Sequence, residues 1–142
     1  GNINLCNKIY QSNILNIKIY NQNINLLLDR LSNKECLKEV WILFPDPWPK
    51  KKHHKRRLIS FEFLEKFHYL LKKNGKIFIS TDSKSYLLSI LKNIYLSRKK
   101  FKWENDKPYI WSYNLEKLPA TKYYKKAIKL NKSPFFIRLV KI

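Results

Sequence analysis

Five consecutive apolar residues, Val40, Trp41, Ile42, Leu43 and Phe44, stop abruptly at a proline. Such a run predicts a strand buried on both faces of a parallel sheet. Ile17 and Ile19 alternate with polar neighbours over residues 16–21, which predicts a short strand. Asn23 stands where a helix N-cap belongs, ahead of Ile24, Leu27, Leu28 and Leu31 at three-and-four spacing. Ile59, Phe63, Phe67 and Leu70 repeat in the same way through Leu71, and Asn74-Gly75 then reads as the helix stop. Residues 76–82, KIFISTD, form the next strand, with Asp82 at its carboxyl end. Leu87, Ile90, Leu91 and Ile94 predict another helix, and residues 134–142, PFFIRLVKI, a final strand. Before Asn13 the pattern is irregular, although Ile9 and Tyr10 could close a helix.

Strands separated by helical stripes point to an open α/β sheet, where ligands bind beyond the carboxyl ends of strands. Asp46 falls there, between Pro45 and Pro47, whose rings fix the local backbone. A carboxylate held so rigidly suits positioning chemistry; it could equally cap a backbone amide in a proline-rich turn. Asp82 belongs on the same rim, with helix capping as its plainer role.

The chain of 142 residues carries 30 Lys+Arg against 10 Asp+Glu, a net charge of +20, and its 44% hydrophobic content supports one real core. That excess predicts a polyanionic partner. It is densest in residues 50–57, where every residue is Lys, Arg or His, so no apolar face exists and the block must be solvated. Opposite phosphates the block becomes favourable through counterion release; a localisation signal or a plain solvated face would have the same composition. Lys99, Lys100, Lys102 and Lys107 interleave with Phe101, Trp103, Tyr109, Trp111 and Tyr113. These could stack bases or form a half-buried edge strand. No apolar run approaches the roughly 20 residues that span a bilayer. Cys6 and Cys36 show neither CxxC nor Cys/His spacing, as expected of reduced thiols in a cytoplasmic protein without a metal site.

The stretch FPDPWPKKKHHKRRL resembles the signature of the bacterial tRNA (guanine-N7-)-methyltransferases, in which a PDPW element ends the fourth strand of a class I S-adenosylmethionine-dependent fold. Thr121-Lys122-Tyr123-Tyr124 resembles a second motif of that family, T-K-F/Y-E, followed by a small residue and a glycine. Ala127 fits the small position, while Tyr124 replaces the Glu and Asn131 the Gly. The resemblance implies a Rossmann-like class I methyltransferase sheet, mostly parallel with helices on both faces. It also implies S-adenosylmethionine as cofactor, tRNA as partner and no metal. Asp46 would be catalytic and touch the cofactor, and Asn23 would take the place of an Asp that contacts the cofactor's adenosine. Lys50, Asp82, Thr121, Lys122, Tyr123 and Tyr124 would contact substrate, and Lys51, Lys52, Lys55, Arg56 and Arg57 would form a phosphate track.

A class I methyltransferase needs a glycine-rich turn after its first strand, and the only glycines here are Gly1 and Gly75. With no Met present, the expectation is the C-terminal portion of a longer protein, one partial domain over residues 1–142 with its N-terminal βα units missing and a basic segment at 49–58. Two other functions compete. One is a non-catalytic tRNA-binding module. The other is a metal-dependent nuclease, with Pro45-Asp46 and Asp82-Ser83-Lys84 as the carboxylates and lysine.

Overall fold

The computed structural model describes residues 2–31, 33–112 and 120–142 and separates them into Gly1–Ser32 and Asn33–Ile142. The first unit holds α1 (Asn2–Gln11) and α2 (Ile24–Arg30). Asn23 caps α2 as expected, its Oδ1 accepting the Asn25 N–H at 3.0 Å. Residues 16–21 form no strand, contrary to their alternation. No described strand pairs with them to satisfy their peptide groups. Ile17 and Ile19 accordingly remain exposed.

The second unit runs β1 (Leu37–Leu43), a 3₁₀ helix (Lys51–Arg56), α3 (Phe61–Leu70), β2 (Leu71–Thr81), α4 (Lys84–Leu96), β3 (Phe101–Trp103), a second 3₁₀ turn (Pro108–Ile110), α5 (Lys122–Lys129) and β4 (Phe135–Lys141). The described strands form one sheet in the order β1-β2-β4-β3. β1 and β2 are parallel, whereas β4 runs antiparallel to both β2 and β3. The α/β class is the expected one. The parallel character is confined to β1 and β2, because β4 enters the sheet from the opposite end.

Burial shows that β2, not β1, is the strand covered on both faces: Ile77, Phe78, Ile79, Ser80 and Thr81 are all buried. Trp41 on β1 is 41% exposed and stacks on Phe78 with ring centroids 3.9 Å apart. Among the described strands β1 has a neighbour on one side only, so its apolar run is half covered. The helical stripes behave as their spacing predicts. Phe63, Phe67 and Leu70 of α3 and Tyr86, Leu87, Ile90 and Ile94 of α4 are buried, α3 packs on α4, and α4 packs on β2. Burying one such side chain contributes about 1.5–3 kcal/mol.

Asn74-Gly75 does not stop a helix. α3 already ends at Leu70, and the pair turns the chain inside β2, where Asn74 takes a left-handed φ of 61°. Gly75 is required for space, since a Cβ there would lie 2.8 Å from the Lys72 carbonyl oxygen. The register then sets the working rim. β1 and β2 finish there together, and antiparallel β4 begins there, with Phe135 opposite Thr81. The segment just before β4 therefore arrives beside Asp46 and Asp82.

Candidate active site at the carboxyl rim of the sheet

Where β1 ends, the Phe44 N–H donates to the Ser80 carbonyl oxygen at 3.0 Å, which carries the parallel ladder one residue further. The backbone then arches away. Phe44 and Trp48, on either side of Pro45-Asp46-Pro47, take left-handed φ values of 50° and 43°. Each such conformation in a bulky residue costs of order 1–3 kcal/mol, and strain of this kind gathers at functional sites. Asp46 sits at the crown, exposed, and its carboxylate has no hydrogen bond or ion pair to another described residue. It therefore does not act as a cap.

Arg57 braces the arch. Its Nε donates to the Pro47 carbonyl at 3.0 Å, while its two terminal nitrogens donate to the Ser85 carbonyl at 3.1 Å and the Ser85 hydroxyl at 3.0 Å. The guanidinium also lies 5.1 Å from the centroid of the Tyr86 ring. Arg57 is only 8% exposed, which corrects its assignment to a solvated phosphate track: its donors are already committed to the protein. Behind it, Tyr86 is fully buried and accepts the Ile59 N–H on its hydroxyl at 2.9 Å. Burial raises the Tyr86 pKa and keeps the phenol neutral, with a smaller push from the charge of Asp46.

The rest of the basic block behaves as expected of its composition. Lys50, Lys51, Lys52, Lys55 and Arg56 are exposed, and residues 51–56 coil into the 3₁₀ helix. The Arg56 guanidinium stands over the Trp48 ring at 5.0 Å, and His53 meets the same ring edge-on at 5.8 Å. Trp48 thus ties the start of the block to the arch.

At the end of β2, Ser83 is the N-cap of α4, accepting the Tyr86 N–H. This frees Asp82 from capping. Its carboxylate instead accepts from Lys132 Nζ at 3.0 Å. Asp46, Asp82 and Lys132 line one pocket of about 300 Å³ with Phe44, Tyr123 and Lys126. That size is at the small end for ligand pockets. A larger apolar concavity of about 680 Å³ inside the first unit, lined by residues such as Ile9, Leu15 and Ile17, offers no acid or base beyond the thiol of Cys6 and the phenol of Tyr10.

Of the motif at residues 121–124, only Tyr123 lines the pocket. Thr121 caps α5, its hydroxyl oxygen accepting the Tyr124 N–H at 3.1 Å. Tyr124 packs near Phe44 and Phe136, with centroids at 6.5 and 6.4 Å. Neither Lys50 nor Lys122 is among the lining residues. Asn23 belongs to the first unit, where its side-chain oxygen serves the cap. Lys126 and Lys132 escaped sequence reasoning. No motif marks them, and only the antiparallel entry of β4 brings Lys132 to Asp82.

The aromatic and cationic stretch resolves toward the edge-strand reading. Phe101 is buried in β3, and Trp103 and Trp111 stack with centroids 5.0 Å apart. Both indole N–H groups donate to Asn105, to its side chain and its carbonyl respectively. Tyr113 lies outside the described residues.

The fold and its rim define an open α/β-sheet protein with a two-carboxylate pocket beyond its strand ends. A family model described as "Putative methyltransferase" matches residues 2–137, and the chain belongs to that family. It is similar to proteins named tRNA (guanine-N(7)-)-methyltransferase. One, from Rhizobium etli, is 35% identical over 133 residues, covering 93% of this chain and 56% of the relative. Another, from Rhizobium johnstonii, is 33% identical over 138 residues, covering 97% and 58%. A third, from Syntrophotalea carbinolica, is 31% identical over 132 residues, covering 93% and 56%. The chain thus spans somewhat more than half the length of these relatives. No described helix is long and apolar enough to cross a membrane.

Proposed function

We propose that this chain serves the transfer of a methyl group to N7 of a guanine in the variable loop of tRNA. The observation that carries the reading is the convergence of Asp46 and Asp82 on one base-sized pocket, next to an exposed run of cations. The names of the relatives support the same substrate and reaction.

Guanine N7 bears a lone pair and no proton, so no general base is required. What remains for the protein is to hold the base in line and to stabilise the positive charge that spreads over the purine. Asp46 suits both tasks, because its arch is set before the substrate arrives. It can oppose that charge or accept from the ring N–H and amino group of guanine. Asp82 offers a second acceptor once Lys132 yields, and Tyr123 offers a ring for the base to lie against. Lys51, Lys52, Lys55 and Arg56 attract the backbone from outside the pocket, with Lys50 at the junction.

S-adenosylmethionine, when bound, would supply the methyl group as an electrophile on a sulfonium centre. The pocket fits the acceptor base better than it fits this donor. Asn23, the candidate for the nucleoside end, already spends its oxygen on α2. The roles assigned to this chain are therefore those of base binding and charge stabilisation.

The test is formation of 7-methylguanosine in an unmodified tRNA transcript incubated with this chain and S-adenosylmethionine. Asp46→Ala should abolish transfer while tRNA affinity stays within a few-fold. Turnover that survives Asp46→Ala would refute the catalytic assignment. Tight tRNA binding without methylation, and without calorimetric binding of S-adenosylmethionine, would instead assign a non-catalytic RNA-binding module. Abolition of RNA cleavage by a chelator would favour the nuclease.

A further inference from the structure

We propose that α5 presents a second backbone-gripping surface, a lysine ridge that holds RNA phosphates along the border of the pocket lined by Asp46 and Asp82. It rests on RNA being the substrate, but on different residues from those of the reading above.

The helix divides by function. Ala127 is buried and Tyr124 faces Phe44 and Phe136, while Tyr123, Lys126 and Leu130 line the pocket with the two carboxylates. Lys122, Lys125 and Lys129, all exposed, border a recess of about 540 Å³ with Lys126. Lys126 belongs to both surfaces, so the ridge is continuous with the pocket. None of these four lysines forms an ion pair with a described residue.

Local electrostatics work against the helix as it stands. Like charges at i,i+3 and i,i+4 destabilise a helix. Lys122/Lys125, Lys122/Lys126, Lys125/Lys129 and Lys126/Lys129 all have that spacing, and α5 has no acidic residue to offset them. Lys122 also stands in the first turn, where the helix dipole disfavours a cation. Phosphates laid along the ridge would reverse both penalties. From Lys122 to Lys129 the helix rises about 10 Å. About three consecutive phosphates of one RNA strand fit along that length, one to each of Lys122, Lys125 and Lys129.

A folded, unmodified tRNA transcript is the probe, with binding measured across a range of salt concentrations. The triple variant Lys122→Gln, Lys125→Gln, Lys129→Gln should make the log–log salt slope shallower by about two to three and weaken binding roughly tenfold or more at moderate salt. Replacing the same three lysines by arginine should restore the wild-type slope. In the wild-type chain, bound transcript should protect Lys125 and Lys129 from acetylation several-fold, which tests the ridge even if the glutamine variant misfolds. Unprotected lysines, or an unchanged slope alongside a shallower one for Lys51→Gln, Lys52→Gln, Arg56→Gln, would overturn the ridge and leave the proposed function standing. Wild-type binding that shows no salt dependence would overturn both. A variant that keeps its tRNA affinity but loses binding to phosphatidylserine vesicles would overturn the ridge in favour of a lipid surface.

Discussion

Arg57 Nε donates a 3.0 Å hydrogen bond to the carbonyl oxygen of Pro47, the residue directly after Asp46. The same guanidinium holds Ser85, three residues beyond Asp82. One buried cation therefore sets the spacing between the loops that present the two carboxylates.

Arg57→Ala should lower stability by about 1–3 kcal/mol, because it leaves two partly buried carbonyls without their donor and removes packing against Tyr86. The salt dependence of tRNA binding should not change. Arg56→Ala should do the reverse, with little effect on melting and a salt slope shallower by about one. Chemical denaturation and salt titration of the two variants separate the roles; a slope change in the Arg57 variant would return that residue to the phosphate track.

Lys132 and Asp82 form a partly exposed ion pair, with side-chain exposures of 49% and 24%. Such pairs contribute about 1 kcal/mol or less. Lys132→Ala should thus leave the melting temperature within a few degrees. Because the proposed function gives the base an Asp82 oxygen that Lys132 now occupies, the variant should bind guanosine monophosphate more tightly and adenosine monophosphate no better. Weaker guanine binding would show that Lys132 supports the base and does not compete with it.

Acid should destabilise the chain in two stages. Burial, then the charges of Lys141 and Lys100, hold the His68 pKa below its ordinary value of 6.5, against weaker upward pulls from Glu65 and the Ile142 backbone. The folded state therefore holds fewer protons there than the unfolded state. The stability this contributes is full above pH 6.5 and is lost as the pH falls from there toward the folded value. Glu35, chiefly through its hydrogen bond from Lys141, and Glu62, chiefly through a backbone hydrogen bond, have lowered carboxyl pKa values. Their contributions vanish only below the ordinary 4.5. Denaturant midpoints at pH 7.5 and 5.5 should differ in the wild-type chain and converge in His68→Gln. An unchanged difference would assign the first stage to another group.

Much of the second unit was legible because its signals are local. The stripes of α3 and α4, the strand before Asp82 and the final strand each show the period of their own element. What was hidden depends on partners distant in sequence. Trp41 looks as apolar as Ile42, and only the strand order reveals that β1 is covered from one side. Arg57 is one of eight consecutive basic residues, and nothing local distinguishes the one that turns inward to Pro47. The alternation of Ile17 and Ile19 was a misleading signal, since a period of two is useless without a neighbouring strand. Gly75 has the local look of a helix stop, but its place inside β2 requires it for space. Gly75→Ala should lower stability by about 1–3 kcal/mol through collision with the Lys72 carbonyl, without altering the length of α3. A circular dichroism spectrum showing an extended helix would contradict that account.

The arch around Asp46 is almost silent to amide hydrogen exchange. Pro45, Pro47 and Pro49 have no N–H, and that of Phe44 is locked to the neighbouring strand. Only the amides of Asp46 and Trp48 can report on it. Deuterium uptake at those two positions, set against that of Ser80 inside the ladder, would record how often the loop relaxes while the sheet beneath it stays closed.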